Sequence, residues 1–146
     1  MRELPRKLSP DELAELFEGR TRLVELLAER EDPFDHVDEV LAELSEADLL
    51  AALDAHPRIG QRSGLSARSS EEQGSDLDPQ VLDELDRLNR EYEAKFGFRF
   101  VVFVNRRPRS AILPILRERL ERTREEELET GVRELIEIAR NRWTTT

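Results

Sequence analysis

The run Phe98-Arg99-Phe100-Val101-Val102-Phe103-Val104 is the only strand-like stretch in this chain of 146 residues. Aromatic and β-branched residues follow one another here, as they do in a buried β-strand. A strand needs a partner for its backbone N–H and C=O groups, and the sequence contains no second run of this kind. We therefore expect an extended segment that is buried between helices, in a protein that is otherwise all-α.

Outside this run the chain carries repeated signals for helix starts and ends. Ser9-Pro10-Asp11-Glu12 combines an N-cap serine, a proline at the first helical position and a glutamate that can close a capping box. Ser45 and Thr123 begin two further helices in a similar way. Asp78-Pro79 opens a long helix, and a glycine after Phe96 is expected to end it.

Apolar residues recur at helical spacing between these signals. The sets that define the predicted helices are Leu13, Leu16 and Phe17; Leu23, Leu26 and Leu27; Val37, Val40, Leu41 and Leu44; Leu49, Leu50 and Leu53; Val81, Leu82, Leu85, Leu88 and Tyr92; and Ile112, Ile115, Leu116 and Leu120. We expect Gly19 to end the first helix and the last helix to run to about Arg142. The pattern predicts an all-α, single-domain bundle of about seven or eight helices over residues 9–143, with short tails at 1–8 and 144–146.

The composition narrows the classes of function. Hydrophobic and charged residues each make up 38% of the chain, enough for one core beneath a heavily charged surface. The net charge of −10 argues against nucleic acid or an anionic membrane as the main partner. The lack of cysteine excludes disulfides, thiolate nucleophiles and cysteine metal ligands. No apolar run has membrane-spanning length and the N-terminus lacks a signal-peptide apolar region, so we expect a cytoplasmic protein.

The stretch His56-Pro57-Arg58-Ile59-Gly60 offers a candidate for proton transfer. Proline disfavours α geometry for the residue before it, so the preceding helix should end at His56. A helix C-terminus favours the protonated imidazole, and a titration near neutral pH suits acid-base work. The alternative is an ordinary surface histidine at a helix end. His36 is the only other histidine, and the two lack the spacing of metal ligands, so we expect no metal.

The last helix carries an arginine on its apolar stripe. Leu128, Val132, Leu135 and Ala139 are separated alternately by four and three residues, and Arg142 is the next step. An inward guanidinium needs an anionic partner, because an unpaired buried charge is very costly. The alternative is that the helix end frays and the Arg142 side chain reaches water. By contrast, we expect Arg106, Arg107 and Arg109 to form a solvated turn.

Three motifs in order resemble a known family. They are His56-Pro57-Arg58-Ile59-Gly60, then Ser69-x-x-Glu72-Gln73, then Leu88-Asn89-x-x-Tyr92-x-x-Lys95-Phe96-Gly97-Phe98-x-Phe100. The chain looks like the decarboxylase that acts on 2-oxo-4-hydroxy-4-carboxy-5-ureidoimidazoline (OHCU) in uric acid catabolism and releases (S)-allantoin. The resemblance extends from about residue 8 to Trp143. It implies a cofactor-independent lyase with an anionic ureide substrate, and it allows a homodimer.

The resemblance also assigns roles. It implies that His56 and Glu72 are catalytic, although Glu72 could instead only close a capping box begun by Ser69. It implies substrate contacts from Pro57, Ser69, Gln73 and Arg142, and from the backbone of Phe100, Val101, Val102, Phe103 and Val104. Two alternatives remain open: a helical binding module without chemistry, and a sibling decarboxylase or lyase for another ureide. Convergence of His56, Glu72 and Arg142 on one cavity would favour an enzyme.

Overall fold

A computed structural model describes residues 7–57, 59 and 78–144, most of which lie in helices. The helices are α1 (Pro10–Phe17), α2 (Arg22–Ala28), α3 (Val37–Glu43), α4 (Glu46–Ala55), α5 (Pro79–Phe96), α6 (Arg109–Leu120) and α7 (Arg124–Thr144), with a 3-10 turn at Pro33–Asp35. No strand occurs in the described ranges. The predicted all-α class is confirmed.

Most helix ends lie where the sequence predicts them. Ser9 and Ser45 close capping boxes at the starts of α1 and α4. The hydroxyl of Thr123 accepts the backbone N–H of Glu126 at 3.2 Å, at the start of α7. Gly97, in the left-handed conformation with φ 83°, ends α5 as expected. These caps satisfy backbone groups that a helix terminus would otherwise leave without partners.

The end of α1 differs from the prediction. The helix stops at Phe17, and the left-handed residue after it is Glu18, with φ 64° and ψ 25°. Gly19, the predicted stop, has another role: a Cβ at this position would lie 3.2 Å from the Cβ of Ala55. Ala55 is the last residue of α4. The glycine therefore allows the end of α1 to approach the end of α4 closely.

The described residues divide into two compact units. The first consists of Met1–His56 with Val132–Thr146. In it, α2 packs against α1, α3, α4 and the 3-10 turn. Leu8, the last residue of the predicted tail, is fully buried. The C-terminal part of α7 contacts this unit through Arg133, which pairs with Asp38 at 2.6 Å.

The second unit, Pro57–Gly131, contains α5 packed against α6. Its core includes an aromatic cluster around Tyr92, whose ring centroid lies 4.6 Å from that of Phe96, 5.9 Å from Phe98 and 5.2 Å from Phe100. Residues 98–104, the predicted extended segment, are neither helix nor strand and are mostly buried. α6 continues through Pro114, its sixth residue, without a break.

Candidate active site

His56 occupies the end of α4. It is the C-cap residue, with φ −83° and ψ 138°, and only 8% of it is exposed. The following Pro57 is buried as well. The predicted helix end is thus confirmed, while the alternative of an ordinary surface histidine is not supported. A buried imidazole at a helix terminus is held in a fixed position, which suits proton transfer to a bound substrate.

Asn89 fixes the chain just after this histidine. It lies on the buried face of α5 and is 2% exposed, and its Nδ2 donates to the carbonyl oxygen of Ile59 at 2.9 Å. Both groups belong to motifs that carry the family resemblance. The Asn89 side chain therefore has a structural role: it holds the backbone at Ile59 against α5.

Arg142 points inward, as the stripe on the last helix predicts. It is 1% exposed. Its Nη1 donates to the carbonyl oxygen of Leu16 at 2.8 Å and lies 3.4 Å from Oε1 of Glu18. The alternative of a frayed end that reaches water is wrong, because α7 continues to Thr144. Sequence analysis did not identify Glu18 as a partner; it is one of 33 acidic residues, and 124 positions separate it from Arg142.

The close approach of Gly19 to Ala55 brings these two features together. Glu18 and Leu16, at the end of α1, hold Arg142. Gly19 follows directly and packs against Ala55, the residue before His56. Within the first unit, the α1 terminus that holds the buried guanidinium therefore adjoins the α4 terminus that carries the buried imidazole.

The extended segment is held by arginine side chains rather than by a neighbouring strand. Arg119 donates through Nη1 to the carbonyl oxygen of Val101 at 2.7 Å. Arg107 donates to the carbonyl oxygens of Val104 at 2.8 Å and Phe103 at 2.6 Å. These bonds satisfy backbone acceptors that a β-sheet would otherwise satisfy. Arg107 is thus only partly exposed and Arg109 is buried, so the predicted solvated turn is wrong for these two residues.

A buried acidic residue accepts hydrogen bonds from side chains next to this segment. Glu127 is completely buried and accepts from Tyr92 Oη at 2.8 Å and Arg119 Nε at 2.7 Å through Oε1, and from Arg122 Nη1 at 3.0 Å through Oε2. Burial raises the pKa of Tyr92, and its hydrogen bond to the Glu127 carboxylate acts in the same direction. Tyr92 therefore stays a neutral donor, and its place in the motif is explained by this network.

The predicted site residues fall in both units. His56 and Arg142 belong to the first, and Pro57 and residues 100–104 to the second. Ser69, Glu72 and Gln73 lie outside the described residues. In the described ranges, no three histidine or acidic side chains are grouped as a metal site would require. No helix among them is long and apolar enough to span a membrane.

Comparison with known proteins finds relatives of similar sequence. A decarboxylase of the same OHCU substrate from Halalkalicoccus jeotgali is 30% identical over 120 residues, which cover 75% of this chain and 68% of the relative. The uric acid degradation bifunctional protein PucL of Bacillus subtilis is 31% identical over 143 residues, covering 90% of this chain and 29% of that larger protein.

Solved structures support the fold. A crystal structure of OHCU decarboxylase in the presence of (S)-allantoin superposes with a TM-score of 0.76 at 23% identity, covering 92% of this chain and 96% of that one. At this identity the likeness concerns the fold. The family model described as OHCU decarboxylase matches residues 2–144, almost the whole sequence. The chain is a member of the OHCU decarboxylase family.

Proposed function

We propose that this protein decarboxylates OHCU to (S)-allantoin and CO2 in the degradation of uric acid. The observation that carries the proposal is the family match over residues 2–144. The relatives and the solved structure named above are described by this reaction, this product or uric acid degradation. A buried guanidinium also fits, because a chain with net charge −10 needs a local positive group to bind an anionic substrate.

The reaction requires no external electron acceptor. When the bond to the carboxylate breaks, CO2 leaves and the bonding electron pair moves into the conjugated C=N of the ring. The hydroxyl group then loses its proton as a carbonyl forms, and the adjacent ring carbon gains a proton on one face. One proton from solvent, taken up by the ring nitrogen, completes the balance. We therefore propose a reaction independent of metal or organic cofactor.

We assign the proton transfers to His56 and Glu72. A single base and a single acid on defined sides of the ring would explain a product of one handedness. His56 is held at a helix end, in a buried position that restricts its ring. Pro57, Ser69 and Gln73 complete the proposed contacts to the substrate.

Two groups are proposed to bind the oxygen atoms of the substrate. Arg142 supplies a planar fork that matches a carboxylate. Residues 100–104 supply backbone N–H groups: in the part of the chain that the structure describes, none of these N–H groups donates to a backbone carbonyl. Three carbonyl oxygens of the same segment, those of Val101, Phe103 and Val104, are already bound by Arg107 and Arg119. A segment held by its acceptors can present its donors to an anion.

The direct test supplies freshly generated OHCU to the purified protein and follows the circular dichroism of the allantoin formed. We expect His56→Ala to lower kcat by about 10²- to 10⁴-fold, the usual contribution of an acid-base residue, with helical content unchanged. His36→Ala is the matched control, since His36 is the other histidine and its side chain is 42% exposed. Near-normal turnover by His56→Ala would refute the role of His56.

The same assay separates the alternatives. A binding module would change neither the rate at which OHCU decays spontaneously nor the chirality of the allantoin formed. An enzyme for another ureide would be inactive on OHCU but active on its own substrate. Activity that survives EDTA would support the metal-free reaction. We further propose a cytoplasmic location and a homodimer, which cell fractionation and sedimentation test.

A further inference from the structure

Glu18 has a backbone conformation that its side chain does not favour. Its φ of 64° and ψ of 25° lie in the left-handed region. For a residue with a Cβ atom this conformation is unfavourable, because the Cβ atom comes too close to the following carbonyl oxygen. The neighbouring Gly19 would adopt it without that cost, yet Gly19 is used for the close approach to Ala55. The structure thus places a glutamate at the position where a helix end most often has glycine.

The Glu18 carboxylate lies against the buried Arg142. Its side chain is 11% exposed, and Oε1 is 3.4 Å from Nη1 of Arg142. The same Nη1 donates to the carbonyl oxygen of Leu16, in the last turn of α1. A helix C-terminus carries partial negative charge. The end of α1 therefore provides two acceptors for one edge of the guanidinium: a carbonyl at the negative end of the helix and a full carboxylate.

We propose that Glu18 is the positioning residue for Arg142. This inference rests on the proposed function, in which Arg142 binds the substrate's oxygen atoms. An arginine recognises a carboxylate through a planar fork, so a rotation or a shift of the guanidinium weakens both hydrogen bonds together. By fixing one edge of the group, Glu18 and the Leu16 carbonyl determine the plane of the fork. The strained backbone at Glu18 is maintained because it aims the carboxylate at Arg142.

Removal of the Glu18 carboxylate has two opposing effects on substrate binding, one electrostatic and one geometric. It removes a negative charge near the anion, which favours substrate binding, and it frees the guanidinium to rotate, which weakens binding. We expect the loss of orientation to dominate, because misplacement of a binding group by about 1 Å can cost on the order of 100-fold. A purely structural Glu18 would affect thermal stability without a change in KM well below the unfolding temperature.

Two variants separate these roles. Glu18→Gly removes the carboxylate and relieves the backbone strain. We expect it to raise KM by about 10- to 100-fold when measured well below the unfolding temperature, within the range set by such misplacement, with a smaller change in kcat. Glu18→Gln keeps an acceptor of the same shape and should partly restore KM. Glu15→Gln, an exposed position on the same helix, is the control and should match wild type.

A double variant completes the test. Arg142→Met removes the group that Glu18 is proposed to position. We expect Glu18→Gly to lower kcat/KM strongly in the wild-type background and to have no further effect in the Arg142→Met background. Equal losses in the two backgrounds, or a normal KM for Glu18→Gly, would overturn this inference while wild-type activity still supported the proposed function. A wild-type protein without activity on OHCU would overturn both.

Discussion

Replacement of Glu127 by glutamine tests the buried network behind the extended segment. The change preserves the shape of the side chain but removes the negative charge that faces Arg119 at 2.7 Å and Arg122 at 3.0 Å. Glu127 is 0% and Arg119 is 6% exposed in their side chains, so water cannot compensate the loss. Breaking a buried ion pair by removing one partner typically costs about 3–5 kcal/mol.

That loss is large against the whole stability of a domain, about 5–15 kcal/mol. The partial exposure of Arg122, 35%, lets its charge be solvated, so we place the expected loss near the lower figure, about 3 kcal/mol. At about 2–4 °C per kcal/mol, the unfolding temperature should fall by roughly 6–12 °C.

The assay is urea unfolding followed by the helical circular dichroism signal. Glu125→Gln, in the exposed first turn of the same helix, is the control and should lose no more than about 1 kcal/mol. Tyr92→Phe should by itself cost about 1.5–3 kcal/mol, since its hydroxyl donates to a charged acceptor. It should cost less in the Glu127→Gln background. A loss below about 1 kcal/mol for Glu127→Gln, with an unchanged slope against urea, would contradict the view that this carboxylate holds the network together.

Three further predictions follow from the described contacts. Asn89→Asp keeps the shape of the side chain but removes the donor to the Ile59 carbonyl, so we expect about 1–3 kcal/mol less stability and a raised KM. Arg90→Ala, at an exposed position, is the control and should change neither quantity when both are measured by calorimetry and steady-state kinetics. Gly19→Ala places a Cβ 3.2 Å from that of Ala55 and should lower both the unfolding temperature and kcat/KM, and a second change, Ala55→Gly, should restore them; failure of this rescue would argue against the close contact. Tyr92 is the only tyrosine, so the ultraviolet absorbance of tyrosinate reports it alone. Burial raises the pKa of Tyr92, so the folded state keeps the proton that the unfolded chain loses near pH 10, and the free energy of unfolding should fall above that pH. The tyrosinate absorbance should therefore rise together with unfolding and not before it.

The helix framework follows closely from local sequence. Caps at Ser9, Ser45 and Thr123 and the left-handed Gly97 are formed by residues within a few positions of one another, so their patterns are visible along the chain. The extended run could also be predicted, because the absence of a second such run excludes a sheet. Arg142 was recognisable as buried because its spacing continued an apolar stripe.

The same spacing rule, applied to α6, would have identified two more buried arginines. Arg109, Ile112, Leu116 and Arg119 follow one another by three, four and three residues, and all are buried. Asn89 likewise lies among the buried residues of α5. Local reasoning could not supply their partners, since the Arg119–Val101, Asn89–Ile59 and Arg142–Glu18 contacts join residues far apart in sequence. Local reasoning also identified Gly19 as a required glycine but gave the wrong reason. The side chain must be absent there because Ala55, in another helix, lies close to this position.

The arginines that hold the extended segment show that a buried or partly buried positive charge in this protein can have a role other than substrate binding. Arg107 and Arg119 bind main-chain carbonyl oxygens, so their contacts do not depend on which side chains occupy positions 101, 103 and 104. Substitutions in the segment that preserve its bulk and extended shape can therefore accumulate during evolution, while the two arginines outside it must be retained. We expect such arginines to vary as little among related proteins as the residues that bind substrate. A positively charged residue can thus be retained in this fold because it supports the backbone. Only the group to which it is hydrogen-bonded distinguishes that role from recognition of an anion.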